Sequence, residues 1–134
     1  MRVSGMTIFR SFLRFTPTVE TKVIPNASTI SESYITFGAY VVVDTSDPKW
    51  QGRPVKVKVR FESRAGQPGS ARIFVQDRGP VLWEGDIGRS GSDITEFEFW
   101  TLPGSNLYEL EYRGHIGWSP NIEIVGGMFT ITNE

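Results

Sequence analysis

Residue types that could carry catalytic chemistry are sparse in this sequence. His115 is the only histidine among 134 residues, and cysteine is absent. An imidazole metal site normally needs more than one histidine. A Ser-His-Asp arrangement is formally possible, but the G-x-S-x-G nucleophile elbow is missing. Because His115 lies between glycines in the run GHIG, we interpret it as a loop residue without a catalytic role.

Paired carboxylates are the other candidates for chemistry, since glycosidases hold two acids at a fixed separation across a cleft. Glu96 with Glu98, and Glu109 with Glu111, each lie on the polar face of a predicted strand, where glutamates are ordinary. The run DTSD at 44–47 offers oxygen ligands for calcium, but it lacks the glycine and distal glutamate of an EF-hand loop. We therefore expect no enzymatic activity, no metal and no other cofactor.

Three aromatic residues are candidates for binding. Trp50 and Trp118 lie in segments rich in glycine and proline, and Tyr112 lies on a predicted strand. An exposed ring can stack on a sugar or enter a partner's pocket. A loop tryptophan can also fold back and close the end of a sandwich, which is the more common case. We take Trp50, Trp118 and Tyr112 as candidate binding residues for a protein interface or for sugar stacking.

Alternation of apolar and polar residues predicts the elements that hold these side chains. It is clearest over residues 55–62, where valines and Phe61 alternate with lysine, arginine and glutamate. Further strands are predicted over residues 71–76, 81–84, 93–100, 107–113, 122–124 and 128–132. The residues expected in the core are Val57, Val59, Phe61, Phe97, Phe99, Leu110 and Ile131. About eight or nine strands separated by glycine and proline turns predict an all-β fold, an antiparallel two-sheet β-sandwich that is jelly-roll-like.

Two segments depart from this alternation. Residues 34–43 are apolar on both faces, which is typical of a strand covered on both sides, either by its own domain or by another subunit. Residues 1–33 are predicted to be an N-terminal arm or the first strands, ahead of a sandwich domain at 34–134. If residues 4–24 form an arm, its apolar side chains need cover from a neighbouring subunit. These candidate arm-interface residues are Ile8, Phe9, Phe12, Leu13 and Phe15.

Charge and hydropathy exclude several classes of function. The formal net charge of −1 argues against a nucleic-acid partner. No run approaches the roughly 18 apolar residues of a membrane helix, so no membrane partner is expected. Arg10 and Arg14 interrupt any signal-peptide core, which predicts a chain that is cytoplasmic on synthesis.

Basic and acidic residues are unevenly distributed along the chain. Basic residues dominate positions 49–78, and acidic residues dominate positions 84–123. They would pair across a sheet if these strands are neighbours. Alternatively, they form opposite surfaces through which identical subunits meet head to tail.

The C-terminal half resembles the galactose-binding-like jelly rolls of carbohydrate-binding modules. The likeness rests on FEFW at 97–100, LPG at 102–104, LYELEY at 107–112 and IEIVGGMFTI at 122–131. It implies a jelly-roll fold and a sugar-binding surface of exposed aromatic rings. Carbohydrate binding is therefore the alternative function.

In general terms the chain also resembles capsid-decorating and tail proteins of bacteriophages, which are short, cysteine-free and β-rich. This likeness implies a non-catalytic structural or assembly protein, a subunit of a larger particle such as a phage virion. The partners would be protein subunits, in a homo-oligomer or a larger assembly. We take this as the first hypothesis and carbohydrate binding as the second.

Overall fold

The computed structural model describes residues 15–29, 31, 33–65, 69–76, 79–87, 92–114 and 122–134. These residues form strands and one short 3-10 turn, Pro48–Trp50. The strands are β1 Val19–Val23, β2 Ala27–Thr29, β3 Ile35–Asp44, β4 Lys56–Ala65, β5 Gly69–Val75, β6 Val81–Ile87, β7 Ser92–Trp100, β8 Ser105–Gly114 and β9 Ile122–Thr132. Within this part of the chain, no helix is long and apolar enough to cross a membrane.

The strands form two antiparallel sheets that face each other. The five-stranded sheet has the order β1-β9-β4-β7, with β2 also paired to β9, and the four-stranded sheet has the order β3-β8-β5-β6. Strands β1 and β2 pair with β9, β3 with β8, β4 with β7, and β5 with β6. This nested pairing is that of a long hairpin rolled into two sheets, a jelly roll. The predicted all-β sandwich is confirmed.

The register of β4 follows from its alternating sequence. Val57, Val59 and Phe61 face the core and are at most 1% exposed, whereas Lys58 and Arg60 face outward. Period-two alternation places successive side chains on opposite faces, so burying the valines exposes the basic residues. The face assignment made from the sequence is confirmed.

Basic residues of β4 lie opposite acidic residues of β7. Lys58 is the register partner of Glu98, and Arg60 is the register partner of Glu96. The Arg60 Nε and Glu96 Oε1 atoms are 3.5 Å apart. For these two strands, the uneven charge distribution therefore produces cross-strand pairs, which stabilise a sheet. The alternative of separate basic and acidic surfaces does not apply to them.

The core lies between the two sheets. Six of the seven predicted core residues are buried, at 6% exposure or less: Val57, Val59, Phe61, Phe99, Leu110 and Ile131. Phe97 is only half-buried, because β7 is the edge strand of its sheet. Its ring stacks on Trp83 of β6 with centroids 3.7 Å apart, which joins the two sheets along that edge.

Strand β9 is continuous where the sequence predicts two short strands. The pair Gly126-Gly127 forms a bulge rather than a tight turn, and the register with β4 shifts between Phe61 and Ser63. Gly126 has a φ of +140°, which side-chain-bearing residues rarely adopt. Glycine at a bulge lets β9 bend without ending, so it continues to pair with β4.

The first described residues belong to the sandwich. All five residues of β1 are in register with β9, and β2 also pairs with β9. Between these strands, Ile24 is fully buried and donates its N–H to the Gly127 carbonyl at 3.0 Å. Residues 19–29 are therefore first strands of the sandwich. An arm remains a prediction only for the segment 1–14, which lies outside the described residues.

Candidate assembly surface

Trp50 closes one end of the sandwich. Asp47 caps the 3-10 turn by accepting the Lys49 N–H at 3.0 Å, and the Asn133 side-chain amide donates to the Trp50 carbonyl at 2.8 Å. The Trp50 side chain is 1% exposed. A ring without accessible surface cannot stack on a sugar or enter a partner's pocket. The binding role predicted for Trp50 is therefore corrected to that of a core residue.

Tyr112 is also a core residue. It faces inward from β8, is 0% exposed, and meets the Phe37 ring edge-on at 4.6 Å. Its hydroxyl is buried and has no hydrogen-bond partner among the described residues, and burial raises the pKa of Tyr112 to about 12. The predicted role as a stacking platform does not fit this position, because alternation on β8 turns Tyr112 away from solvent.

Several predicted site residues lie outside the described residues. They are Ile8, Phe9, Phe12, Leu13 and Trp118, and His115, interpreted as a loop residue without a role, also lies outside. Phe15 is described, and the Arg53 guanidinium lies 3.5 Å above its ring centroid. Next to it, the Thr18 hydroxyl donates to the Lys49 carbonyl at 2.8 Å. These contacts hold the start of the described chain against residues 49–53.

Strand β3 is apolar on both faces, but only its inner face is covered. Val41 and Val43 are 1% exposed, whereas Tyr40 and Val42, on the outer face, are 39% and 57% exposed. The Lys22 ammonium lies 3.5 Å above the Tyr40 ring centroid and shields one side of it. The sequence predicts that residues 34–43 are covered on both faces. The described part of the chain covers only the inner face.

Register extends this exposed surface across the four-stranded sheet. Val42 lies opposite Leu107, and Tyr40 lies opposite Glu109. Phe74 lies opposite Glu109 on one side and Val81 on the other. Side chains opposite each other share a face and lie about 5 Å apart at Cβ. We call this set the apolar patch, and it consists of Tyr40, Val42, Phe74, Val81, Leu107 and Glu109.

Glu109 is the one acidic member of the apolar patch. Burial raises the pKa of its carboxyl above the usual value of 4.5, and the neighbouring charge of Glu111 adds to the effect. Among the described residues, no basic side chain forms an ion pair with Glu109. The patch therefore combines exposed apolar side chains with one carboxylate that lacks a cation.

On the other half of the same face, the carboxylates of Glu84 and Glu111 have partners. Arg72 Nε donates to Glu111 at 2.7 Å, and the Tyr34 hydroxyl donates to Glu84 at 2.6 Å. The guanidinium carbons of Arg72 and Arg113 lie 4.0 and 4.4 Å from the Tyr34 ring centroid. Burial and the Glu84 contact raise the pKa of Tyr34 to about 12. Unlike Glu109, the Glu84 and Glu111 carboxylates therefore already bind groups of their own sheet face.

The outer face of the five-stranded sheet is charged along β4 and β7, and its exposed apolar side chains are Val19, Val23 and Met128 on β1 and β9, and Ile94 and Trp100 on β7. Trp100, at the end of β7, is 56% exposed. The signal for this exposure was present in the sequence, because Trp100 shares its strand face with Glu96 and Glu98. Ile94 is also exposed there, but these two glutamates separate it from Trp100. Nowhere in the described ranges do three metal-ligating side chains cluster in a way that could hold an ion.

Comparisons with known proteins find the same fold in proteins of particles and pili. A chain in the structure of infectious bursal disease virus, Gx strain, matches with a TM-score of 0.52 and 14% identity over 87% of this chain. The VP2 subviral particle of the same virus gives a TM-score of 0.52 with 12% identity. This chain spans only 32% of the length of either viral chain.

A protein of Bacillus endospore appendages, described as disulfide-linked pili, matches over nearly its whole length. The TM-score is 0.51 at 8% identity, over 89% of this chain and 90% of that chain. No protein-family model and no curated protein sequence matches. At these identities the likeness shows the fold alone. The expected likeness to galactose-binding-like modules is not confirmed beyond the two-sheet β architecture.

Proposed function

We propose that this chain is a non-catalytic structural subunit that assembles through the apolar patch into a larger particle. The observation that carries the proposal is the exposure of the patch on a sandwich whose core is otherwise complete. Val42 and Val81 are 57% and 46% exposed, and neither is needed to fill the space between the sheets. Contiguous apolar surface of this kind on a soluble protein marks a contact with another molecule.

The likeness to a subviral particle and to a pilus protein supports this proposal at the level of fold. Disulfides link the Bacillus pili, whereas this chain has no cysteine. Its contacts with other subunits would therefore be non-covalent, and apolar burial is the main source of free energy for such contacts.

The proposal does not extend to the type of particle, and it replaces the carbohydrate alternative. A bacteriophage virion component, in capsid decoration or the tail, stays a prediction. The carbohydrate alternative has lost two of its three predicted platforms, since Trp50 and Tyr112 are buried. We therefore propose protein subunits, not a carbohydrate, as the partners.

The test is the mass of the full chain in solution, measured by sedimentation velocity over a range of concentrations. We expect assembly of the unmodified chain and its loss in Val42→Asp, because a buried unpaired charge would oppose contact at the patch. Val19→Asp is the matched control, since Val19 is 55% exposed but lies on the other sheet. Circular dichroism should show that both variants keep the fold.

Two outcomes would overturn the proposal. A monodisperse monomer at all concentrations would remove the assembly function. Loss of assembly in Val19→Asp, with normal assembly in Val42→Asp, would assign the contact to the five-stranded sheet instead of the apolar patch.

A further inference from the structure

We propose that residues 1–14 of a second copy dock across the apolar patch and that an arginine of this segment pairs with Glu109. This inference rests on the proposed function and names the partner of the same surface. It follows from the chemistry of the patch, from the composition of the segment and from where the described chain begins.

The segment and the patch have complementary compositions. Residues 1–14 read MRVSGMTIFRSFLR, with three arginines, no acidic residue and a run of large apolar side chains. The patch has five apolar or aromatic members around a single carboxylate, Glu109. Apolar side chains of the segment would cover the patch, and Arg10 or Arg14 would supply the cation that Glu109 lacks.

An arginine suits the surroundings of Glu109. A guanidinium binds a carboxylate through two parallel hydrogen bonds and also stacks on aromatic rings. Register places Tyr40 and Phe74 on either side of Glu109. The same face already holds such a contact, in which Arg72 binds Glu111 and lies over the Tyr34 ring.

The segment is long enough for this contact. Fourteen extended residues span about 45–50 Å, whereas four neighbouring strands are only about 15 Å across. A segment of this length could cross the whole four-stranded sheet and still connect to its own sandwich.

The proposed function favours docking on a second copy. Phe15 is held by Arg53, in the connection between β3 and β4 at one end of the sandwich. A segment that covered the patch of its own chain would leave no apolar surface for assembly. A segment that covers the patch of a neighbouring copy joins the two subunits. Each copy would then give one segment and receive another, as in heterologous assemblies.

Charge-reversed full-length chains test this pairing. Glu109→Arg removes the acceptor, and the double variant Arg10→Glu/Arg14→Glu removes the donor. Each alone should sediment as a monomer, with an unchanged circular dichroism spectrum. An equimolar mixture of the two should assemble, because the segment of the first chain fits the patch of the second, and the two reversed partners also carry opposite charges. A chain carrying all three substitutions should assemble again.

Two further variants control for the fold and for non-specific charge effects. Glu109→Gln keeps the size of the side chain and should weaken self-association at least ~10-fold, a loss typical of one charge-assisted contact. Glu123→Arg reverses an exposed carboxylate on β9, on the other sheet, and should assemble like the unmodified chain.

The outcomes separate this inference from the proposed function. If the unmodified chain is a monomer, both fail. If it assembles and Glu109→Arg and Glu109→Gln assemble equally well, the docking inference fails and the proposed function stands. Absence of a complex in the mixture, or of recovery in the triple variant, would also overturn the docking of residues 1–14 on the patch.

Discussion

At the scale of the residue, Glu109 differs from the other carboxylates of its sheet face. Glu111, two residues along β8, is 8% exposed but bound by Arg72, and Glu84 accepts a hydrogen bond from Tyr34. Glu109 is desolvated by its apolar neighbours and has neither kind of contact with the residues that the structure describes. Burial without a counter-charge favours the protonated form of a carboxyl group, which is why its pKa is raised.

This raised pKa predicts how the stability of the unassembled chain depends on pH. The folded chain holds the Glu109 proton more tightly than the unfolded chain, so the contribution of Glu109 to stability is greatest below pH 4.5. It is lost as the pH rises through 4.5 and the raised value. Glu109→Gln should therefore be more stable than the unmodified chain at pH 7, and the difference should vanish in acid.

Denaturant titrations at several pH values would measure this difference. They should be made with Arg10→Glu/Arg14→Glu also present, so that assembly does not contribute. Glu123→Gln, at an exposed site, is the control. Equal pH profiles for Glu109→Gln and its background would show that Glu109 is fully solvated.

At the scale of the element, the bulge in β9 allows one strand to serve two partners. β9 pairs with β4 along its whole length, and with β1 and β2 in succession on the other side. On this side, β9 changes its partner from β1 to β2 near Ile24. The bulge bends β9 at the same place and increases its local twist. The glycine pair is thus required by the topology of the five-stranded sheet.

Gly127→Ala tests this requirement. An added Cβ would lie 2.5 Å from the Arg60 carbonyl oxygen and 2.6 Å from the Phe61 Cβ. The Arg60 carbonyl is backbone, so relief requires a shift of β4, and we expect a loss of about 1–3 kcal/mol in the free energy of unfolding. Denaturant unfolding of Gly127→Ala and of Thr130→Ala, on the same strand, would measure it. Equal stabilities would mean that the two strands separate at little cost.

At the scale of the whole molecule, strands β1 and β2 belong to the sandwich. The sequence left both an arm and first strands open for residues 1–33. Strand β1 covers the edge of β9, and Ile24 fills the core. Residues 19–24 are therefore part of the sandwich, and an arm stays a prediction for the residues before them.

Two truncations should behave differently for this reason. Removing residues 1–14 should give the melting temperature of the unassembled Arg10→Glu/Arg14→Glu chain, since every described strand is kept and neither chain assembles. Removing residues 1–24 should cost at least about 2–5 kcal/mol, the usual cost of losing one buried isoleucine side chain. Thermal melts and denaturant titrations of both chains would measure this. A chain lacking residues 1–24 that melts like the full chain would show that β1 contributes nothing to stability.

Local alternation was enough to predict the strands from β4 to β8 and the faces that β4 and β7 bury. Alternation in β4 and β7 predicts which side chains are buried, because the period-two pattern is a property of consecutive residues. Even the exposure of Trp100 could be predicted this way, from its position on the same face as Glu96 and Glu98. The all-β class followed from the same signal.

Only the tertiary structure decided which surfaces are left without cover. Trp50 looks like an exposed loop residue until Asn133, far along the chain, binds its carbonyl. The apolar patch likewise joins side chains of β3, β8, β5 and β6, and the raised pKa of Glu109 depends on these neighbours. Burial and desolvation depend on residues distant in sequence that the fold brings together, so no local pattern could predict them.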